Sequence, residues 1–121
     1  MNAKTFTVPA GKAKIYLYRN EHMGGAVAIK VSVNGNVAGR TRPMSYFLWT
    51  VAQGTYVITS ETENTSSVTV NAGPGKSYFI WREVKFGFVV ARNQVRLVDE
   101  ETGRKGVKDC LLMQSEWQPS Q

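Results

Sequence analysis

The feature that most constrains this chain is the stretch 26–34, where Val27, Ile29, Val31 and Val33 alternate with Ala28, Lys30 and Ser32. A period of two places the four large apolar residues on one face of an extended strand and on no single face of a helix. Their branching at Cβ suits a pleated surface. Asn34-Gly35 follows at once, the pair that most readily takes the positive φ angles of a two-residue hairpin turn. The chain is therefore predicted to return through Val37 and Ala38 to Gly39 as an antiparallel partner.

The same grammar recurs along the sequence. Lys12 to Arg19 places Ala13, Ile15 and Leu17 on one face and Lys12, Lys14, Tyr16 and Tyr18 on the other, after the breakers Pro9 and Gly11. The apolar stretch 46–51 ends at Ala52-Gln53-Gly54, where a second hairpin into 55–60 is expected. Glu63-Asn64-Thr65 leads into a strand carrying Val68 and Val70, and Ala72-Gly73-Pro74-Gly75 is strong turn punctuation. The stretch 76–84 is apolar nearly throughout until Arg82-Glu83, as a strand covered on both faces requires. Phe86-Gly87-Phe88-Val89-Val90 reads as a core-packed loop or a strand, and 94–98 as the last clear strand. Thr102-Gly103 is expected to turn the chain, and 104–113 suits a short C-terminal helix or a final edge strand.

Seven to eight short strands with Gly-, Pro- and Asn-rich turns imply an all-β fold, an antiparallel β-sandwich or partly open barrel. At 121 residues the chain has the size of one domain able to bury a core without disulfides or metal. The domain is expected over 8–113, with 1–7 and 114–121 as flexible tails. No apolar stretch reaches the length of a membrane-spanning helix. The first residues hold no apolar run of a secretory leader, so the expectation is a cytoplasmic protein or one whose leader has been removed.

Candidate chemistry is sparse. His22 is the only histidine and lies in a polar turn, where a surface role is the simpler reading. With one histidine and one cysteine, the usual ligands of zinc and other transition metals are missing, so no metal or cofactor is expected. Asp99-Glu100-Glu101 reads as a solvated turn rather than a calcium loop. Cys110 lies among apolar residues, a setting that raises a thiol pKa and suppresses reactivity. It has no second cysteine to bond. Gly73-Pro74-Gly75 lacks the strand-to-helix context of a phosphate loop and reads as a turn. No catalytic residue is expected.

Fifteen basic residues against nine acidic give a net charge of +6, which eases encounter with anions without naming one. The aromatics stand above background: thirteen in all, with Tyr16 and Tyr18 sharing a strand face with Lys12 and Lys14. Such a face suits stacking on sugar rings or unpaired bases. The competing reading is that a second sheet or a partner chain covers the tyrosines. Phe86 and Phe88 are the other candidates for an exposed binding contact.

Several segments together resemble the bacterial domain-of-unknown-function family 2846. They are the stretch 8–19, Val33-Asn34-Gly35 with Gly39, Gln53-Gly54-Thr55-Tyr56, the stretch 75–79, Lys85-Phe86-Gly87-Phe88 and the stretch 97–103. The resemblance covers about 8–113. It implies a periplasmic or outer-membrane-anchored domain made with a secretion or lipoprotein leader, and supplies no catalytic residues. The centre of the chain is also similar to the PEGA class of envelope β-modules. A non-enzymatic envelope module is therefore expected, binding a glycan or protein partner or acting as a spacer. One alternative is a hydrolase of envelope polymers using Glu61 or Glu83. Another is single-stranded nucleic-acid binding on the basic aromatic face, which the scattered basic residues make the less favoured partner.

Overall fold

In the computed structural model, which describes residues 6–20, 29–62, 64–86 and 91–119 (the backbone alone for 84–86 and 91–93), the alternating strands form two stacked sheets. The first contains β1 (Lys12–Arg19), β4 (Ser45–Ala52), β7 (Ser77–Phe86), β8 (Ala91–Val98) and β9 (Leu111–Leu112), in the order β8-β7-β1-β4-β9. The second contains β2 (Ile29–Val33), β3 (Asn36–Thr41), β5 (Gly54–Glu61) and β6 (Thr65–Ala72), in the order β3-β2-β5-β6. A helix, α1 (Glu100–Lys108), joins β8 to β9. The fold is an open β-sandwich, as the strand pattern predicts.

The period of two sorts the side chains. Ala13, Ile15 and Leu17 of β1, Phe47, Trp49 and Val51 of β4 and Ile80 of β7 face Val31, Val33, Ile58, Val70 and Ala72 of the other sheet. Each large side chain buried here contributes about 1.5–3 kcal/mol by leaving water. The β2–β3 turn has φ +49° at Asn34 and +82° at Gly35, the left-handed pair a tight hairpin needs. The Asn34 side chain then accepts a 2.8 Å hydrogen bond from the Val57 amide, tying the turn to β5. Val27 lies outside the described residues.

Four expectations change. The turn at 52–54 is no hairpin: β4 pairs with β1, whereas β5 pairs with β2 and β6, so the chain crosses between sheets there. The Tyr56 hydroxyl donates to the Ala52 carbonyl at 2.7 Å and braces the corner. Local turn chemistry is the same for both connections, and only strand partners distinguish them. Second, the first sheet is mixed, because β1 runs parallel to β7 and β4 parallel to β9.

Third, Thr102-Gly103 is helical. Asp99 caps α1, its carboxylate accepting from the Thr102 amide at 2.7 Å, which holds its pKa below the ordinary aspartate value. Glu100 and Glu101 occupy the first turn and Lys105 and Lys108 the last, each complementing the helix dipole. The acidic triplet is thus a helix start. The stretch 104–113 proves to hold both structures considered for it, the end of α1 and the edge strand β9.

Fourth, the segments flanking 8–113 pack on the domain. Phe6 is buried against Tyr16 and Phe79. At the other end Trp49 donates its indole N–H to Ser115 at 2.8 Å, the Glu116 amide donates to Ala38 at 2.7 Å, and Trp117 stands edge-on to Trp49 and Tyr56. A buried indole N–H needs an acceptor, and residues beyond the last strand provide it.

Candidate functional site

The second face of β1 looks outward from the sandwich, and the structure divides it. Tyr16 and Tyr18 are 0% and 1% exposed, in a cluster with Phe6, Tyr46, Phe79, Val107 and Cys110. Tyr16 stacks on Phe79 with ring centroids 4.7 Å apart. The cover is α1, which approaches closely because Gly103 lies on Phe79 and Gly106 on Tyr18 with no side chain between. Burial pushes both phenols up to about 12, reinforced by Tyr46 beside Tyr16 and by Cys110 and Asp99 beside Tyr18. Neither ring is offered to a sugar or base. The reading of these two tyrosines as an open stacking face is corrected: the chain's own helix covers Tyr18, and Phe6 and Phe79 pack on Tyr16.

Farther back along the same face, cover gives way to a groove of about 540 Å³. Its lining is Thr7, Val8, Pro9, Lys14, Leu48, Thr50 and Leu112. Leu48 and Thr50 reach it as the outward residues of β4, alternating with Phe47, Trp49 and Val51 in the core, and Thr50 stands directly opposite Lys14 in the β1–β4 ladder. Leu112 comes from the edge strand β9 and is 55% exposed. Such an apolar depression with a few polar groups has the size and make-up of small-ligand sites, commonly about 300–1,000 Å³.

Among the described residues, Lys14 is the one charged residue in the lining. It is only 4% exposed, and among the described residues no carboxylate pairs with its ammonium group. Burial holds its pKa below the ordinary lysine value. Lysine is seldom packed so deeply, and this one lines the groove.

The remaining candidates do not join it. Lys12 is half-buried at the start of β1 and outside the groove lining. The Phe86 side chain, Phe88 and His22 lie outside the described residues. Glu61 binds Lys30 at 2.8 Å on the four-stranded sheet, whereas Glu83 approaches Arg96 at 3.7 Å on the five-stranded one. The two carboxylates thus belong to different sheets. Cys110 is buried, its thiol 3.5 Å from the Arg19 carbonyl. Among the described residues no three His, Cys, Asp or Glu side chains gather as metal ligands, and no helix is long and apolar enough to cross a membrane.

Sequence reasoning singled out Lys14 through its strand face and did not single out Leu48, Thr50 or Leu112, which line the same groove. The alternation within 46–51 carried a signal for Leu48 and Thr50. It showed that they point away from Phe47 and Trp49, but not that β4 lies beside Lys14.

Fold and groove together define a small β-sandwich domain whose one helix-capped outer face carries an apolar groove with a buried lysine. The chain belongs to the family described as protein of unknown function (DUF2846), whose model matches residues 9–95. It is also 31% identical over 107 residues to an uncharacterized protein of Haemophilus influenzae, covering 87% of this chain and 64% of that protein. The chain thus spans a little under two thirds of that relative's length. No solved structure gives a significant match.

Proposed function

We propose that this domain is a non-enzymatic binding module of the cell envelope, and that the groove beside Lys14 receives an elongated, largely apolar small ligand. The groove itself carries this reading: about 540 Å³ floored by a sheet face, walled by Val8, Pro9, Leu48 and Leu112, and left uncovered by α1. An apolar surface kept concave and open gains free energy when a ligand of matching shape displaces its water. The envelope assignment rests on the family resemblance, which implies a periplasmic or outer-membrane-anchored domain, and cell fractionation of the native protein tests it.

The groove is tested with the neutral fluorescent probe N-phenylnaphthylamine. The wild-type protein is expected to give saturable fluorescence at one probe per chain. Leu48→Glu, which places a charge in the wall without disturbing the inter-sheet core, is expected to abolish it. Absence of saturable binding by folded wild-type protein, or binding indifferent to Leu48→Glu, refutes the assignment.

A further inference from the structure

We propose that the ligand of this groove carries a single carboxylate, bound by the Lys14 ammonium group, with an unbranched apolar chain lying along Leu48 and Leu112. The inference rests on the groove being a binding site and adds the chemical class of its occupant.

Three observations converge. Lys14 is 4% exposed and lines a cavity in which no described residue is acidic, so among the described residues the groove holds a cation and no built-in counter-charge. A lysine packed among apolar neighbours is partly desolvated, a cost that an apolar residue at the same position would not carry. An anion arriving with the ligand offsets that cost at the moment of binding. Thr50 stands directly across the ladder from Lys14 and lines the same groove, so its hydroxyl offers the site a second donor. One cation and one hydroxyl match the single charge and two oxygens of a carboxylate. A phosphate monoester brings about −1.5 to −2 charges and three acceptor oxygens, more than this donor set satisfies. The rest of the lining is apolar apart from Thr7 and suits hydrocarbon.

The simpler reading of Lys14 is that its stem packs on the sheet while its amine reaches water at the groove mouth. The two readings differ in one measurable respect, the dependence of affinity on ligand charge.

The experiment displaces bound N-phenylnaphthylamine with ligands of one chain length, dodecanoate, dodecanol, dodecylammonium and dodecyl phosphate, each below its micelle-forming concentration. With wild-type protein dodecanoate is expected to bind about 10- to 100-fold more tightly than dodecanol, the range of a charge-assisted hydrogen bond, and dodecylammonium more weakly than either. Lys14→Met, which keeps the stem and removes the charge, is expected to equalise dodecanoate and dodecanol while the probe still binds. Thr50→Val, which needs no change at Lys14, is expected to narrow the gap severalfold. The preference should also fade as pH rises through the titration of Lys14, which burial places below the ordinary lysine value. Equal affinity of wild type for dodecanoate and dodecanol overturns the proposal, as does a preference that survives in Lys14→Met. Tighter binding of dodecyl phosphate than of dodecanoate overturns the carboxylate class. Failure of the probe to bind wild type at all removes the groove reading itself, and the inference with it.

Discussion

Replacing Gly106 by alanine should destabilise this protein, although the same change in an exposed helix stabilises it. Alanine exceeds glycine in helix propensity by about 0.8–1.0 kcal/mol, and Gly106 is inside α1. A methyl group there, however, would overlap the ring of Tyr18, and one at Gly103 the ring of Phe79. Ordinary carbon–carbon contact is about 3.5–4.0 Å. Tyr18 is packed among Val107, Cys110 and Tyr46, so the helix must lift from the sheet. A lift of about 1 Å uncovering roughly 50 Å² on each of Tyr18 and Phe79 costs about 2.5 kcal/mol at 25 cal/mol per Å², and residual strain about 1 kcal/mol more. Subtracting the propensity gain leaves a net loss of about 2–3 kcal/mol, or a fall in Tm of roughly 8–15 °C for a domain of this size. The assay is urea and thermal unfolding of Gly106→Ala beside Lys105→Ala, an exposed change on the same helix expected to stay within about 0.5 kcal/mol. Wild-type or higher stability of Gly106→Ala would refute the close approach of α1 to the sheet.

Three further outcomes follow from the packing of the outer tyrosine cluster and of the C-terminal segment. Tyr16 and Tyr18 titrate near 12 in the folded protein rather than near the ordinary 10. The unfolded chain therefore releases these protons first, and the stability they contribute is complete below about pH 10 and lost as pH rises towards 12. Tyrosinate absorbance followed together with circular dichroism should show their ionisation coinciding with alkaline unfolding; ionisation well before unfolding would contradict their burial. At the other end, Trp117→Ala removes edge contacts to Trp49 and Tyr56 and should cost about 1–3 kcal/mol. Ser115→Ala strips the acceptor from the Trp49 indole and should cost about 1–2 kcal/mol. Chemical denaturation measures both, and an unchanged midpoint for both would show that residues 114–119 do not support the core.

The strands were legible because an extended chain has a period of two and the apolar residues obey it, in β1 from Ala13 to Leu17 and in β2 from Ile29 to Val33, with the buried Arg19 as the one charged residue on the inner face of β1. The β2–β3 hairpin was legible because Asn34-Gly35 is a local signal acting on neighbouring residues. The β4–β5 connection misled for the converse reason: Ala52-Gln53-Gly54 reverses the chain equally well within a sheet or between two sheets. The helix was half visible. Its acidic first turn and basic last turn fit a helix, but Thr102-Gly103 reads locally as a break, and the glycines make sense only beside the aromatic rings they admit.

Sequence alone determined that Lys12, Lys14, Tyr16 and Tyr18 share a face opposite Ala13, Ile15 and Leu17, since neighbouring side chains on a strand must point oppositely. Only the tertiary structure decided what lies on that face. It buries Tyr18 beneath Gly106 and Phe79 beneath Gly103, both contributed by α1 from far along the chain, packs Tyr16 between Phe6 and Phe79, and leaves Lys14 in a groove with Leu48, Thr50 and Leu112. The direction of a side chain follows from the residues beside it. Its cover depends on contacts between distant segments, and no local pattern encodes them.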